Sequence, residues 1–79
     1  MRHELKTLNP WFTDVLQGRK NFELRRGDRA FQIGDLIVLR EWTGNNYTSR
    51  SVEKIVKYIL RGQDVPEMGL DPNYVIIGF

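Results

Sequence analysis

After Gly18 the apolar residues of this chain leave helical spacing and fall into strand-like runs that continue to the C-terminus. Phe22 and Leu24 take one side of an extended segment, and Asn21, Glu23 and Arg25 take the other. The run Leu36-Ile-Val-Leu-Arg-Glu-Trp42 is strongly apolar and β-branched, and Thr43-Gly44-Asn45-Asn46 marks a hairpin turn after it. Tyr47–Leu60 returns as one long strand or as two joined by a bulge. Its parity breaks near Lys54 and Ile55, where the apolar set jumps from Val52 to Ile55 and Val56. Residues 61–73 contain Gly62, Pro66, Gly69 and Pro72 and read as a loop, and Tyr74–Phe79 closes the chain as a buried strand. Such a pattern commits the chain to a mostly β fold.

Helical spacing is confined to one place. Asn9 can cap a short helix, Pro10 loses nothing at a first helical position, and Trp11, Phe12, Val15 and Leu16 recur at helical intervals before Gly18 stops the run. His3–Leu8 can form a brief strand upstream. The expected fold is therefore mostly β with one or two short helices, in a single domain over residues 1–79. An open sheet this small leaves exposed edges. Curling into a small barrel, with the helix over one opening, removes them.

With 28% charged and 41% hydrophobic residues the chain falls among globular proteins and outside the disordered class. It has no cysteine, which excludes a disulfide framework, a thiolate zinc site and a cysteine nucleophile. No apolar run approaches the ~18 residues of a membrane span. The opening Met-Arg-His-Glu-Leu-Lys-Thr lacks the apolar core of a signal peptide. A cytoplasmic monomer, without cofactor or bound metal, is the expectation. The net charge of +2 alone does not mark a nucleic-acid binder, but its distribution is uneven. Residues 19–29 carry five cations and two carboxylates, whereas residues 62–79 have Asp64, Glu67 and Asp71 and no Lys or Arg.

The basic stretch Gly18-Arg-Lys-Asn-Phe-Glu-Leu-Arg-Arg-Gly-Asp-Arg29 allows two readings. Its charges can be exposed ion pairs on a solvated strand edge, each contributing ~0–1 kcal/mol. Alternatively they form one wall of a site for an anionic ligand. Arg25 offers a planar fork suited to phosphate or carboxylate, and Lys20 a mobile point charge. Glu23 between them can hold both cations, accept a hydrogen bond from a base amino group, or act as a general base. Lys20 has the wrong strand parity to join Glu23 and Arg25, so a shared site requires a bend near Asn21.

Gly18-Arg-Lys-Asn-Phe-Glu-Leu-Arg25 matches the G-x-K-x-x-E-x-R signature of the ASCH domains, a PUA-like superfamily. The ordered set around it resembles a small bacterial and phage branch of that superfamily. The set comprises an opening His-x-L-K, the Pro-containing helix, the signature, Asp28-Arg29-x-Phe31-x-x-Gly34-Asp35 and a Leu-x-Glu-Trp strand. The resemblance covers nearly the whole chain. It implies a small PUA-like β-barrel with a helix beside a cleft, and RNA or nucleotide as the partner. It also implies Lys20, Glu23 and Arg25 as ligand contacts. A similar branch hydrolyses the acetyl amide of acetylated cytidine with the signature Lys and a Thr where this chain has Glu23, and another has been linked to RNA cleavage. Lys20 and Glu23 are thus the candidate catalytic pair. The missing hydroxyl weighs against amide hydrolysis, since Thr13 and Thr43 lie outside the motif.

Arg26 and Arg29 extend the basic patch toward phosphates, and Asp28 holds their loop. Trp11 stacks a base at the cleft mouth or packs the helix. Phe12 is core. Trp42 and Tyr47 flank the hairpin turn and are expected to stack on each other. Tyr58 is expected in the core with its hydroxyl at the edge. His3, the sole histidine, has a structural or surface role. Glu41 either closes the cleft or pairs with Arg40 or Lys54. The functional expectation is an RNA- or modified-nucleotide-binding domain with a basic cleft. A small hydrolase of a modified nucleoside or RNA, and a protein-interaction module, are the alternatives.

Overall fold

The computed structural model describes residues Met1–Phe79. Six strands, β1 (Arg2–Thr7), β2 (Phe22–Arg26), β3 (Leu36–Trp42), β4 (Tyr47–Ile55), β5 (Tyr58–Arg61) and β6 (Tyr74–Gly78), are joined by one helix, α1 (Trp11–Leu16). Two 3-10 turns, Gly62–Asp64 and Pro66–Met68, lie in the segment expected to be irregular. The fold is mostly β.

The strands form two three-stranded sheets, ordered β1-β3-β4 and β2-β6-β5. β1 runs parallel to β3, from Arg2 opposite Leu36 to Thr7 opposite Glu41. β3 and β4 are the expected hairpin, with a register shift between Arg40 and Trp42. The second sheet is antiparallel throughout. Tyr47–Leu60 is two strands in different sheets. The chain changes sheet at Val56-Lys57, where the Val56 amide bonds the Asp35 carbonyl at 2.9 Å and the Lys57 amide bonds the Gly78 carbonyl at 2.8 Å. The break in parity marks that corner.

Alternation on β1 buries His3, Leu5 and Thr7 and exposes Arg2, Glu4 and Lys6. Leu5, Ile37 and Leu39 meet Val15, Phe31, Val56, Val75 and Ile77 in one contiguous core. The helix adds Phe12 and Val15, both fully buried, and leaves Trp11 and Leu16 exposed. Asn9 Oδ1 accepts from the Thr13 amide at 3.0 Å and the Thr13 hydroxyl at 2.6 Å, one residue further along than the amide an ordinary cap reaches. Pro10 stands just before the first helical residue instead of occupying it.

One sequence expectation is corrected here. Tyr58 is exposed, because it sits opposite Gly78 on the outer face of its sheet, which also carries Phe22. On β2 the charged side is the inner one. Glu23 and Arg25 pair with Ile77 and Val75, the buried residues of β6, while Phe22 and Leu24 are about half exposed. Asp64, Glu67 and Asp71, the acidic residues of the tail, lie in the 3-10 turns and the loop before β6, outside the sheet.

β1 and β2 are edge strands of their respective sheets, and arginine side chains from β2 and from the loop after it reach β1. Arg25 Nη2 donates to the Lys6 carbonyl at 2.7 Å, and Arg29 Nη1 donates to the Glu4 carbonyl at 3.2 Å. No helix is long and apolar enough to cross a membrane.

Candidate functional site

Where the β1 and β2 edges face each other they leave an open cleft of about 650 Å³. One wall comes from the end of β1 and the following residue, Lys6, Thr7 and Leu8. Trp11 enters from the start of α1, and Lys20 with β2 supplies the rest.

The turn after the helix delivers Lys20 to this cleft. Gly18 has φ +79°, a left-handed conformation that a residue with a Cβ adopts only at a cost. Its amide bonds the Val15 carbonyl at 3.0 Å, and the Arg19 amide bonds the Asp14 carbonyl at 2.8 Å, which is the Schellman pattern. The Lys20 amide reaches the same Asp14 carbonyl at 3.1 Å. The chain thus turns before β2 begins, and this reversal meets the need for a bend ahead of the strand.

Lys20, Glu23 and Arg25 converge. The Glu23 side chain is only 6% exposed and lies between the two cations. Lys20 Nζ bonds Glu23 Oε2, and Arg25 Nη2 donates to Glu23 Oε1 at 2.9 Å. Lys20 Nζ also donates to the Phe22 carbonyl at 2.7 Å. Arg25 Nη2 reaches the Thr7 hydroxyl at 3.2 Å. A carboxylate withdrawn from water is costly unless paired and hydrogen-bonded, and both conditions hold here. One carboxylate against two cations leaves the group with a formal charge of +1. The protein engages only Nη2 of Arg25, so Nε and Nη1 retain their donors for a ligand.

Apolar surface lines the same space. Trp11, Phe22, Leu24 and Leu8 are each between 44% and 53% exposed. Sequence reasoning missed Lys6, Thr7, Leu8, Phe22 and Leu24 as cleft residues. The available signal was the alternation of Phe22 and Leu24 with charges, which defines two faces without saying which is buried. Arg26 and Arg29 do not line the cleft. They border a second hollow of about 150 Å³ that also touches Arg25.

The remaining candidates lie elsewhere. Glu41 neither closes the cleft nor pairs with Arg40 or Lys54. It accepts Arg50 Nε at 2.9 Å, Arg50 Nη2 at 2.8 Å and the Thr48 hydroxyl at 2.7 Å, and Asn9 Nδ2 bonds it as well. The Arg50 bonds, followed by that from Thr48, hold the Glu41 carboxyl at about 2 despite its burial, and Glu41 in turn raises the Arg50 guanidinium above its ordinary value. The cluster ties the segment before α1 to the hairpin. His3 is buried, with Nε2 at 2.8 Å from Asp35 Oδ2 and its ring 4.6 Å from Phe31. Asp35 also accepts the Met1 amine at 2.9 Å and the Gln32 amide at 2.9 Å. The bond to His3, then that to the Met1 amine, lowers Asp35 to about 2. Trp42 and Tyr47 meet edge to face with centroids 4.8 Å apart, and Lys6 Nζ lies 4.2 Å from the Trp42 ring centroid.

A family described as "Domain of unknown function (DUF3850)" matches residues 2–79. The chain is also 41% identical over 51 residues to an uncharacterised 12.9 kDa protein in the GpA 3' region of Escherichia phage P2. That alignment covers 65% of this chain and 47% of the phage protein, so the matched part is about half the length of that relative.

Proposed function

The chain belongs to the DUF3850 family, a domain of unknown function, and from the geometry of its cleft we propose that the domain binds RNA or a modified nucleotide between the edges of β1 and β2. The observation that carries the reading is the convergence of Lys20 and Arg25 on buried Glu23, inside a cleft that also exposes Trp11 and Phe22. Single-stranded nucleic acid is recognised by aromatic stacking beside cationic donors, and the cleft offers both. Trp11 and Phe22 stack the base. Lys20 and Arg25 contact phosphate or an acceptor edge of the base, and Glu23 holds the two cations in register. Arg26 and Arg29 add attraction beyond the cleft. The resemblance of the Lys20–Arg25 segment to the ASCH signature supports the same reading. We take the binding unit to be a single chain in the cytoplasm.

Titration of labelled single-stranded RNA against the wild type and a Lys20→Met/Arg25→Met double variant tests this proposal, with thermal melts to confirm folding. The wild type should bind at least about tenfold more tightly, a difference of roughly 1.4 kcal/mol. Equal affinities in two folded proteins would reject it.

One observation favours hydrolysis as a second reading. The Thr7 hydroxyl borders the cleft at 3.2 Å from Arg25, so a side-chain hydroxyl is present although Glu23 occupies the signature position. Incubation with acetylated nucleosides and RNA, in wild type and Thr7→Val, separates the two. Product formed by wild type and lost in Thr7→Val would establish turnover.

A further inference from the structure

We infer that the small hollow behind Arg25 is a phosphate subsite, so that the protein selects a phosphorylated nucleotide unit over a bare nucleoside. The inference rests on reading the main cleft as a base site and extends it to a second compartment.

Leu5 and Phe31 form the apolar side of the hollow, and Arg25, Arg26, Asp28 and Arg29 form its polar side. Three arginines and one aspartate therefore line a space of about 150 Å³. Asp28 forms no ion pair with any of the three. Arg26 makes no hydrogen bond or ion pair, and its guanidinium lies 5.9 Å from the Tyr74 ring centroid. Arg29 donates only through Nη1, to the Glu4 carbonyl at 3.2 Å. Arg2, Arg19, Arg25, Arg40 and Arg50 each pair with a carboxylate. Arg26, Arg29 and Arg61 do not, and two of those three border this hollow.

Unspent arginine donors around a confined space suit a tetrahedral oxyanion, which several planar forks can grip at once. The size agrees. A water occupies about 30 Å³ of liquid, so a hollow of about 150 Å³ has room for a phosphate. Arg25 borders both compartments, which places the anion one side chain away from the cleft. A base and its own phosphate have that relation.

Amide chemical shifts of the folded protein should be followed during titration with sodium phosphate, and with sodium chloride at matched ionic strength. Affinities should then be measured for the four common ribonucleosides and their 5'- and 3'-monophosphates, in wild type and Arg26→Gln/Arg29→Gln. The expectation is a phosphate-specific shift at residues 26–29. At least one monophosphate should bind about tenfold more tightly than its nucleoside, and the gap should shrink in the variant. Phosphate shifts without nucleotide binding would uphold the anion site and reject the base site. Phosphate shifts no larger than the chloride control, or equal binding of every nucleoside and its monophosphates, would overturn the subsite even if the cleft binds bases.

Discussion

Glu23 is 4% exposed on an edge strand, where a carboxylate is ordinarily solvated. Its burial is tolerable because Lys20 and Arg25 supply charge-assisted bonds to both oxygens. Glu23→Ala should therefore destabilise the fold by about 3–5 kcal/mol, since it leaves two neighbouring cations without their counter-ion. Glu23→Gln should lose less, and urea midpoints will rank the pair. Asp35 and Glu41 act differently. Their folded values of about 2 lie below the ordinary 3.8 and 4.5, so both carboxylates favour folding when ionised. That stability is complete above pH ~5 and drains away as pH falls from there toward about 2. Melting temperature should follow this course in acid, and Glu41→Gln should flatten it while lowering the plateau. Neither role could be read locally. Glu41 finds Arg50 across a bulged hairpin, and His3 finds Asp35 across a parallel ladder.

At the level of elements, turn chemistry and periodicity were legible and sheet membership was not. The helix stop at Gly18 followed from its residue type, and the hairpin from Thr43–Asn46. On β2 the alternation identified two faces but not which of them is the inner one. The apolar residues line a cleft and the charged ones are buried against β6. The parity break near Ile55 correctly marked an irregularity, yet only tertiary pairing shows that β4 and β5 belong to different sheets. Gly62 gives a test at this scale. A Cβ there would collide with the Asp71 carbonyl, a backbone atom that cannot swing aside. Gly62→Ala should cost about 1–3 kcal/mol, as overpacking usually does, and denaturant melts will show it. Gly18→Ala meets open space and only backbone strain, so a loss of about 1–2 kcal/mol is expected, with weaker ligand binding as the Lys20 turn loosens.

For the whole molecule, the net charge of +2 is small. Attraction for an anionic strand must then come from the local arginine and lysine group and should be modest in reach. If Lys20, Arg25 and one of Arg26 or Arg29 each displace a counter-ion, log affinity for single-stranded RNA should fall against log salt with a slope of roughly −2. A salt series by fluorescence anisotropy measures it. Guanidinium bonds, with no peptide ladder, join the β1 and β2 borders, and this has a mechanical consequence. The seam is the place where the two halves can part, and any occupant gripping both sides becomes a removable stitch. Loading the seam should slow amide exchange along both strands together, so that the fold is tightest when the protein is at work.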